Sequence, residues 1–344
     1  MVKSAKFMGV MLAGLMMVSS VYGAELLGAG ATFPYPYYAK LFSEYNKKTG
    51  VKVNYQSIGS GGGVQQLKNK TVNFGASDAF LTNGDMKTMP GHVIHIPTCL
   101  GAVVLAYNLP GVPALKLDKN VIADIFLGKI TQWNDARIQA LNPGVNLPDQ
   151  KLVSVHRSDG SGTTAIFTDY LEKVSKEWDQ KVGSGKSVNW PIGLGAKGNS
   201  GVAGMLKQIP GSIGYSELNY AAKNGISYAS VKNNSGRYIL PDLESASLAA
   251  EVKIPDDTRV SITDTDADNG YSISGFTWLL VYQDLSLSTP SEESAKALAD
   301  LLSWVTHEGQ SYAKSLDYSP LPAAAVKKAE KLIDSLTYKG KSVR

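Results

Sequence analysis

Cysteine is all but missing from this sequence: Cys99 is the only one in 344 residues. No internal disulfide can form, so the fold must stand on packing alone. Cys99 sits in an apolar run at 94–107 and reads as a small buried hydrophobe rather than a nucleophile. Histidine is nearly as scarce. His92, His95, His156 and His307 are too few and too scattered for a metal site, so no metal and no cofactor is expected. Lysine and arginine form no dense cluster, which argues against a nucleic-acid partner. A serine-hydrolase elbow needs glycine two residues either side of the serine. Ser161 has Asp159 and Thr163 in those places, and Ser60 has Ile58 and Gly62. The run Gly183-Ser184-Gly185-Lys186-Ser187 imitates a P-loop but has Gln180 where the first glycine belongs.

What the sequence does contain begins with a leader. Lys3 and Lys6 precede an uncharged, mostly apolar stretch over 7–23, with Val21 and Gly23 at the −3 and −1 places of a small-residue cleavage site. This pattern predicts a secretory signal peptide over 1–23, cleaved near Gly23/Ala24. The stretch is short for a bilayer and is broken by Gly and Ser, and no later run is long and apolar enough to span one. Removal of the leader would leave 321 residues with 32 basic and 30 acidic side chains, so the basic balance comes partly from the leader. A chain of that size is expected to form two domains.

The most informative stretch is His156-Arg157-Ser158-Asp159-Gly160-Ser161-Gly162-Thr163-Thr164. It follows a short strand-like run at 151–155 and leads into a helical pattern carried by Ile166, Phe167, Tyr170, Leu171, Val174 and Trp178. The first turn of a helix has unpaired N–H groups and a partial positive charge. Two glycines clear the approach, three hydroxyls add donors, and Arg157 offers a fork suited to a phosphate-like group. Strand, small-residue turn and helix recur elsewhere. Residues 26–30 lead to Gly28-Ala29-Gly30-Ala31-Thr32-Phe33-Pro34, and Val51, Val53 and Tyr55 lead to Gly59-Ser60-Gly61-Gly62-Gly63. Another strand ends in Phe74-Gly75-Ala76-Ser77-Asp78. The recurrence predicts an α/β fold with much parallel pairing, its ligand edge at the carboxyl ends of the strands. Two distant β-rich runs, 94–108 and 276–282, bracket a self-contained set of elements. This predicts two α/β lobes, the second inserted in the first and joined to it by two crossing strands. Residues 232–265 read as loops and short helices.

Asp78 stands out because a carboxylate on an anion-binding edge repels its ligand. Ionised, it only accepts hydrogen bonds, so it welcomes an oxyanion that still carries a proton and disfavours one that does not. Hydrogen phosphate keeps a proton near neutral pH and sulfate does not. Asp159, two residues from Arg157, is placed to hold the guanidinium by a charge-assisted pair.

Four of these segments, Gly28 to Pro34, Gly59 to Val64, Phe74 to Asp78 and Asp159 to Thr163, together with Trp190-Pro191-Ile192-Gly193-Leu194-Gly195, resemble the periplasmic phosphate-binding proteins of the high-affinity phosphate ABC importer. They occur in order over nearly the whole chain after the leader. The resemblance implies a two-lobed periplasmic-binding-protein fold with a hinge between lobes. Lobe one would comprise 24–105 plus 278–344, and lobe two 106–277. It also implies the ligand set: Thr32, Phe33, Ser60, Arg157, Ser161, Gly162 and Thr163 as donors, Asp78 as acceptor of the phosphate proton, and Asp159 in support. The implied partners are inorganic phosphate and an importer of two transmembrane permease subunits and two ATP-binding subunits. The protein would be a monomer when free, located in the periplasm, and would bind phosphate for import rather than act as an enzyme. The alternatives are a carrier of another tetrahedral oxyanion and an exported phosphate-ester hydrolase. The second lacks a nucleophile–base pair in the sequence.

Overall fold

The computed structural model describes residues 24–112 and 114–344, so the leader expected over 1–23 lies outside the described residues. The chain opens with β1 (Glu25–Gly30), α1 (Tyr35–Thr49), β2 (Lys52–Ser57), α2 (Ser60–Lys68) and β3 (Phe74–Ser77). β1 pairs in parallel with β2 on one side and β3 on the other. The apolar stripe of α1 (Tyr37, Tyr38, Leu41, Phe42 and Tyr45) is buried, and Gly50 ends the helix at φ 76°. A side chain resists that left-handed backbone, which glycine adopts freely.

β4 (Val93–Tyr107) is fifteen residues long and buried throughout. At about 3.3 Å per residue it runs roughly 50 Å, enough to belong to two sheets in turn. Its first part, Val93 to Ala102, pairs antiparallel with β8 (Ile273–Tyr282), which also pairs with β3. Its last part, Val103 to Tyr107, pairs antiparallel with β7 (Ser212–Glu217). β7 in turn lies parallel to β5 (Val153–Arg157), and β5 to β6 (Leu194–Ala196). The strand order is therefore β2-β1-β3-β8-β4-β7-β5-β6. Parallel triplets sit at the two ends, and the two long apolar runs lie between them, paired antiparallel as β8 and β4. α3 (Gly162–Val174) and α4 (Gly198–Gln208) cover the second triplet, while α5 (Glu292–Thr306) packs on α1, β1 and β4, and α6 (Ala323–Asp334) on α5 and β4. Among the described residues no helix is long and apolar enough to cross a membrane.

Three details differ from the sequence expectation. The helical pattern over 166–178 is two helices, because Ser175 ends α3 and its hydroxyl accepts the Trp178 N–H that starts the next. α4 begins at Gly198, in a Gly-Asn-Ser-Gly run that matched none of the motifs above. The polar 232–265 stretch also does more than loop over one half. Ala250, Ile254 and Ile262 join the apolar cluster of Leu67, Leu81, Trp278 and Leu280 beside β3 and β4. Thr258 donates to His95 O at 2.6 Å, and Arg259 to Leu81 O at 2.8 Å. Two residues past Arg259, Ser261 donates to Asp169 of α3 at 2.6 Å, and Lys173 donates to Ser261 and Thr263. The segment is thus a further connection between the two halves, beside β4 and β8.

Gly63 allows α2 to lie directly on β1. A Cβ there would stand 2.5 Å from both Ala29 O and Gly30 Cα, whereas one on Gly204 of α4 would meet nothing within 4 Å. Both are helical glycines, at which alanine ordinarily gains about 1 kcal/mol. Gly63→Ala should instead destabilise by roughly 1–3 kcal/mol through overpacking, and Gly204→Ala should be neutral or stabilising. Thermal melts of the two variants test this; equal shifts would remove the close-approach argument.

Candidate functional site

The ends of β1, β3 and β5 and the amino termini of α2, α3 and α4 meet in the middle of the molecule. Each helix presents first-turn N–H groups that have no partner within the helix. Thr32 and Phe33 follow β1, Ser60 opens α2, Asp78 follows β3, Arg157 ends β5, Ser161 caps α3, and Gly162 and Thr163 form its first turn. All eight are buried; Asp78 and Arg157 are each 3% exposed.

A hydrogen-bond network links them in two chains. In the first, Ser60 Oγ accepts the N–H of Asp78 at 3.2 Å and that of Gly162 at 3.0 Å. It lies 3.4 Å from Asp78 Oδ2, while Asp78 Oδ1 accepts from the Thr277 hydroxyl at 2.7 Å. In the second, Asn199 Nδ2 donates to Thr32 Oγ1 at 2.9 Å and to Thr163 Oγ1 at 3.0 Å, and Arg157 Nη1 reaches Thr163 Oγ1 at 3.3 Å. Ser161 Oγ accepts the Thr164 N–H at 3.0 Å, which caps the helix. Phe33 is held from behind, its carbonyl accepting from the Tyr318 hydroxyl at 2.6 Å.

The two halves touch directly. Gly61 N–H donates to Gly160 O at 2.8 Å, and the Tyr220 hydroxyl donates to Thr32 O at 2.7 Å. Glycine is required at this seam: a Cβ on Gly162 would stand 2.5 Å from both Asp78 Oδ2 and Ser60 Oγ, and one on Gly59 would stand 2.4 Å from Asp159 Oδ2.

The charges are few and their environments differ. Arg157 is gripped by Asp159 through Nε–Oδ1 at 2.7 Å and Nη2–Oδ2 at 2.5 Å, a bidentate pair with little access to water. Burial pushes the Asp159 carboxyl up, but its hydrogen bonds to Arg157, the guanidinium charge and the Gly198 N–H outweigh this and hold it below the usual range. Asp78 goes the other way. Burial pushes it up to about 7, against smaller opposing effects of Thr277, Arg157 and Ser60. Asp78 is therefore acceptor-only chiefly above neutral pH and gains a donor below it, a refinement of the acceptor-only reading. Deeper still, burial holds the Glu217 carboxyl well above its usual range; Oε2 takes the Asn219 N–H at 3.0 Å and lies 3.0 Å from the Tyr318 hydroxyl, whose proton goes to Phe33 O, and Oε1 meets no polar partner.

Several participants carried no sequence signal. Asn199 and Thr277 are isolated polar residues in stretches that matched no motif, and Tyr215, Tyr220 and Tyr318 look like ordinary core aromatics. The Tyr215 hydroxyl accepts the Arg157 N–H at 3.0 Å and lies 2.6 Å from Thr164 Oγ1 in the first turn of α3. The histidines stay apart. His95 is buried, accepts the Leu81 N–H at Nε2, and has its pKa pushed down to about 3 by burial, while His156 stacks on Trp190. Cys99 is fully buried. The Gly183 to Ser187 run packs on α3, with Lys186 O accepting the Ser161 N–H at 2.8 Å.

The raised Asp78 pKa has a consequence for stability. The folded protein holds this proton more tightly than the unfolded chain, so without ligand it loses stability as pH rises from about 4 to about 7, then levels off. Asp78→Asn removes that loss. Thermal melts of phosphate-free protein should show the variant gaining on the parent over that window, by on the order of a few kcal/mol at pH 8. Parallel pH profiles would mean that Asp78 is charged and comfortable in the fold.

A family model described as a PBP superfamily domain matches residues 19–308. The phosphate-binding protein PstS of Pasteurella multocida is 44% identical over 311 residues, covering 89% of this chain and 88% of the relative. That of Methanocaldococcus jannaschii is 40% identical over 309 residues, covering 82% and 78%. In fold, the chain is similar to a high-affinity periplasmic phosphate-binding protein (PfluDING) solved with phosphate, with a TM-score of 0.73 and 22% identity over 89% of this chain and 93% of that one. It is also similar to a phosphate ABC transporter substrate-binding protein of Clostridium perfringens, with a TM-score of 0.65 and 16% identity over 87% and 100%. The chain belongs to the PBP superfamily and, within it, to the PstS family of phosphate-binding proteins, non-enzymatic components of phosphate ABC importers.

Proposed function

We propose that this protein binds inorganic phosphate between its two halves in the periplasm and delivers it to the permease of an ABC importer. The observation that carries this reading is the composition of the buried ring. It holds one guanidinium already paired with Asp159, one carboxylate, and otherwise neutral N–H and O–H groups. Such a ring binds a dehydrated anion by many oriented dipoles without an equal countercharge. Thr32, Phe33 and Ser60 donate from the half built on β1, β2 and β3, and Arg157, Ser161, Gly162 and Thr163 from the half built on β5, β6 and β7. Asp78 accepts the proton that phosphate retains. With Oδ1 occupied by Thr277, Oδ2 is the oxygen left for this task.

A ligand that touches both halves favours the closed arrangement by the free energy of those shared contacts, which is a population shift. The closed protein is then what the permease recognises. The two lobes comprise 24–105 with 278–344, and 106–277, the latter lending the 250–262 segment to the first. The protein acts as a monomer on an importer of two transmembrane and two ATP-binding subunits, after loss of the leader at Gly23/Ala24.

Calorimetric titration of the stripped mature protein tests the reading. At about pH 8, where Asp78 is ionised, phosphate should saturate one site and sulfate should give no response. At about pH 5.5 Asp78 carries a proton it can donate, so sulfate should begin to compete. Asp78→Asn should relax the discrimination at both pH values, because the amide donates whatever the pH. Sulfate binding alone would make the protein a carrier of another oxyanion, and no heat with either ligand would overturn the proposal.

A further inference from the structure

Asn199 occupies the seam between the halves and has all four of its hydrogen-bonding positions filled. Its side chain is completely buried. Oδ1 accepts the Glu217 N–H at 3.0 Å and the Ser216 hydroxyl at 3.3 Å. A backbone N–H can only donate, so the oxygen must face Glu217 and the amide cannot be flipped. Nδ2 therefore points its two protons at Thr32 Oγ1, 2.9 Å away, and Thr163 Oγ1, 3.0 Å away, one hydroxyl from each half.

A hydroxyl has one proton and two lone pairs. Thr163 Oγ1 receives Asn199 Nδ2 and Arg157 Nη1, which occupies both pairs. Thr32 Oγ1 receives Asn199 Nδ2 and also the Asn199 backbone N–H at 3.3 Å. Among the described residues neither hydroxyl donates to a protein atom, so both protons are free to turn to a ligand. Two hydroxyls that could act as donor or acceptor in isolation are thus reduced to donors by one shared amide, with Arg157 and the Asn199 backbone N–H filling the remaining lone pairs.

We propose that Asn199 is the positioning residue that commits the Thr32 and Thr163 hydroxyls to donate to the bound oxyanion, making this part of the site complementary to acceptors alone. The proposal rests on the phosphate reading of the site. It gives Asn199 a second consequence: its bond to Thr32 exists only when the halves are together, so closure and proton orientation arrive in the same step. Asn199 is held in this place from the other side as well. Gly198, at φ 72°, precedes it and donates to Asp159 Oδ1, which ties the amide to the carboxylate that grips Arg157.

A double-mutant cycle separates this role from mere packing. Phosphate affinity would be measured by calorimetry at about pH 8 for Asn199→Ala, Thr163→Val and the pair, with thermal melts as a folding control. A correctly oriented hydroxyl donating to an anion contributes about tenfold or more in affinity. The Asn199→Ala loss should therefore shrink by about tenfold once Thr163 has no hydroxyl to orient. A loss of equal size in both backgrounds would overturn the proposal. Asn199→Asp provides a folded variant of the same shape, which keeps an acceptor for the Glu217 N–H but turns the amide donors into an acceptor. It should weaken phosphate by at least about a hundredfold, since both hydroxyls would then donate to the carboxylate. Affinity within about threefold of the parent would also overturn the proposal. A parent protein that takes up no phosphate would overturn the phosphate reading itself, a result distinct from either failure of Asn199.

Discussion

The fifteen residues of β4 hydrogen-bond to β8 along their first part and to β7 along their last, so a single buried strand carries both halves of the molecule. Every backbone group on such a strand needs a partner on each side. That requirement fixes where the two parallel triplets can stand, with their carboxyl edges facing each other. The helix termini that follow those strands then have only one place to point. The site is the consequence: α2, α3 and α4 aim their first-turn N–H groups into the gap, and glycine at 59, 61, 160 and 162 lets the opposing backbones come within contact distance.

Within that gap the electrostatics are economical. The guanidinium of Arg157 is buried but paired bidentately, which avoids the cost of an isolated buried charge. Asp78 is buried without an equivalent partner and responds by holding its proton to about pH 7. The same residue thus changes from donor to acceptor across the range where phosphate itself titrates. Thr277 restricts that behaviour to one oxygen, and Asn199 restricts the neighbouring hydroxyls to donation. The selectivity of such a site resides in proton positions rather than in net charge, and screening by salt acts weakly on it.

Much of the fold was legible because it rests on local pattern. The apolar stripe of α1 and its closing Gly50, the alternation in β2, and the long apolar runs that became β4 and β8 all follow from spacing alone. The break between α3 and the helix after it was not legible, because Ser175 caps within a stripe whose apolar spacing continues unbroken. The 250–262 connection was hidden for the opposite reason. Its anchors Ile254 and Ile262 are too sparse to give a period, and only their partners Leu67, Leu81 and Trp278 reveal what they pack on.

The site divides along the same line. Sequence alone determined which small-residue turns stand at strand ends, that Arg157 and Asp159 are close enough to pair, and that Asp78 is anomalous beside so many donors. These are statements about residues a few positions apart, where chain geometry leaves little freedom. Tertiary structure alone decided that Thr32 and Thr163 share one amide, that Thr277 occupies one oxygen of Asp78, and that Tyr220 and Tyr318 hold the Thr32-Phe33 loop from outside. Those contacts join residues tens to hundreds of positions apart. A lone asparagine or tyrosine acquires its role only from the atoms that folding brings within about 3 Å of it.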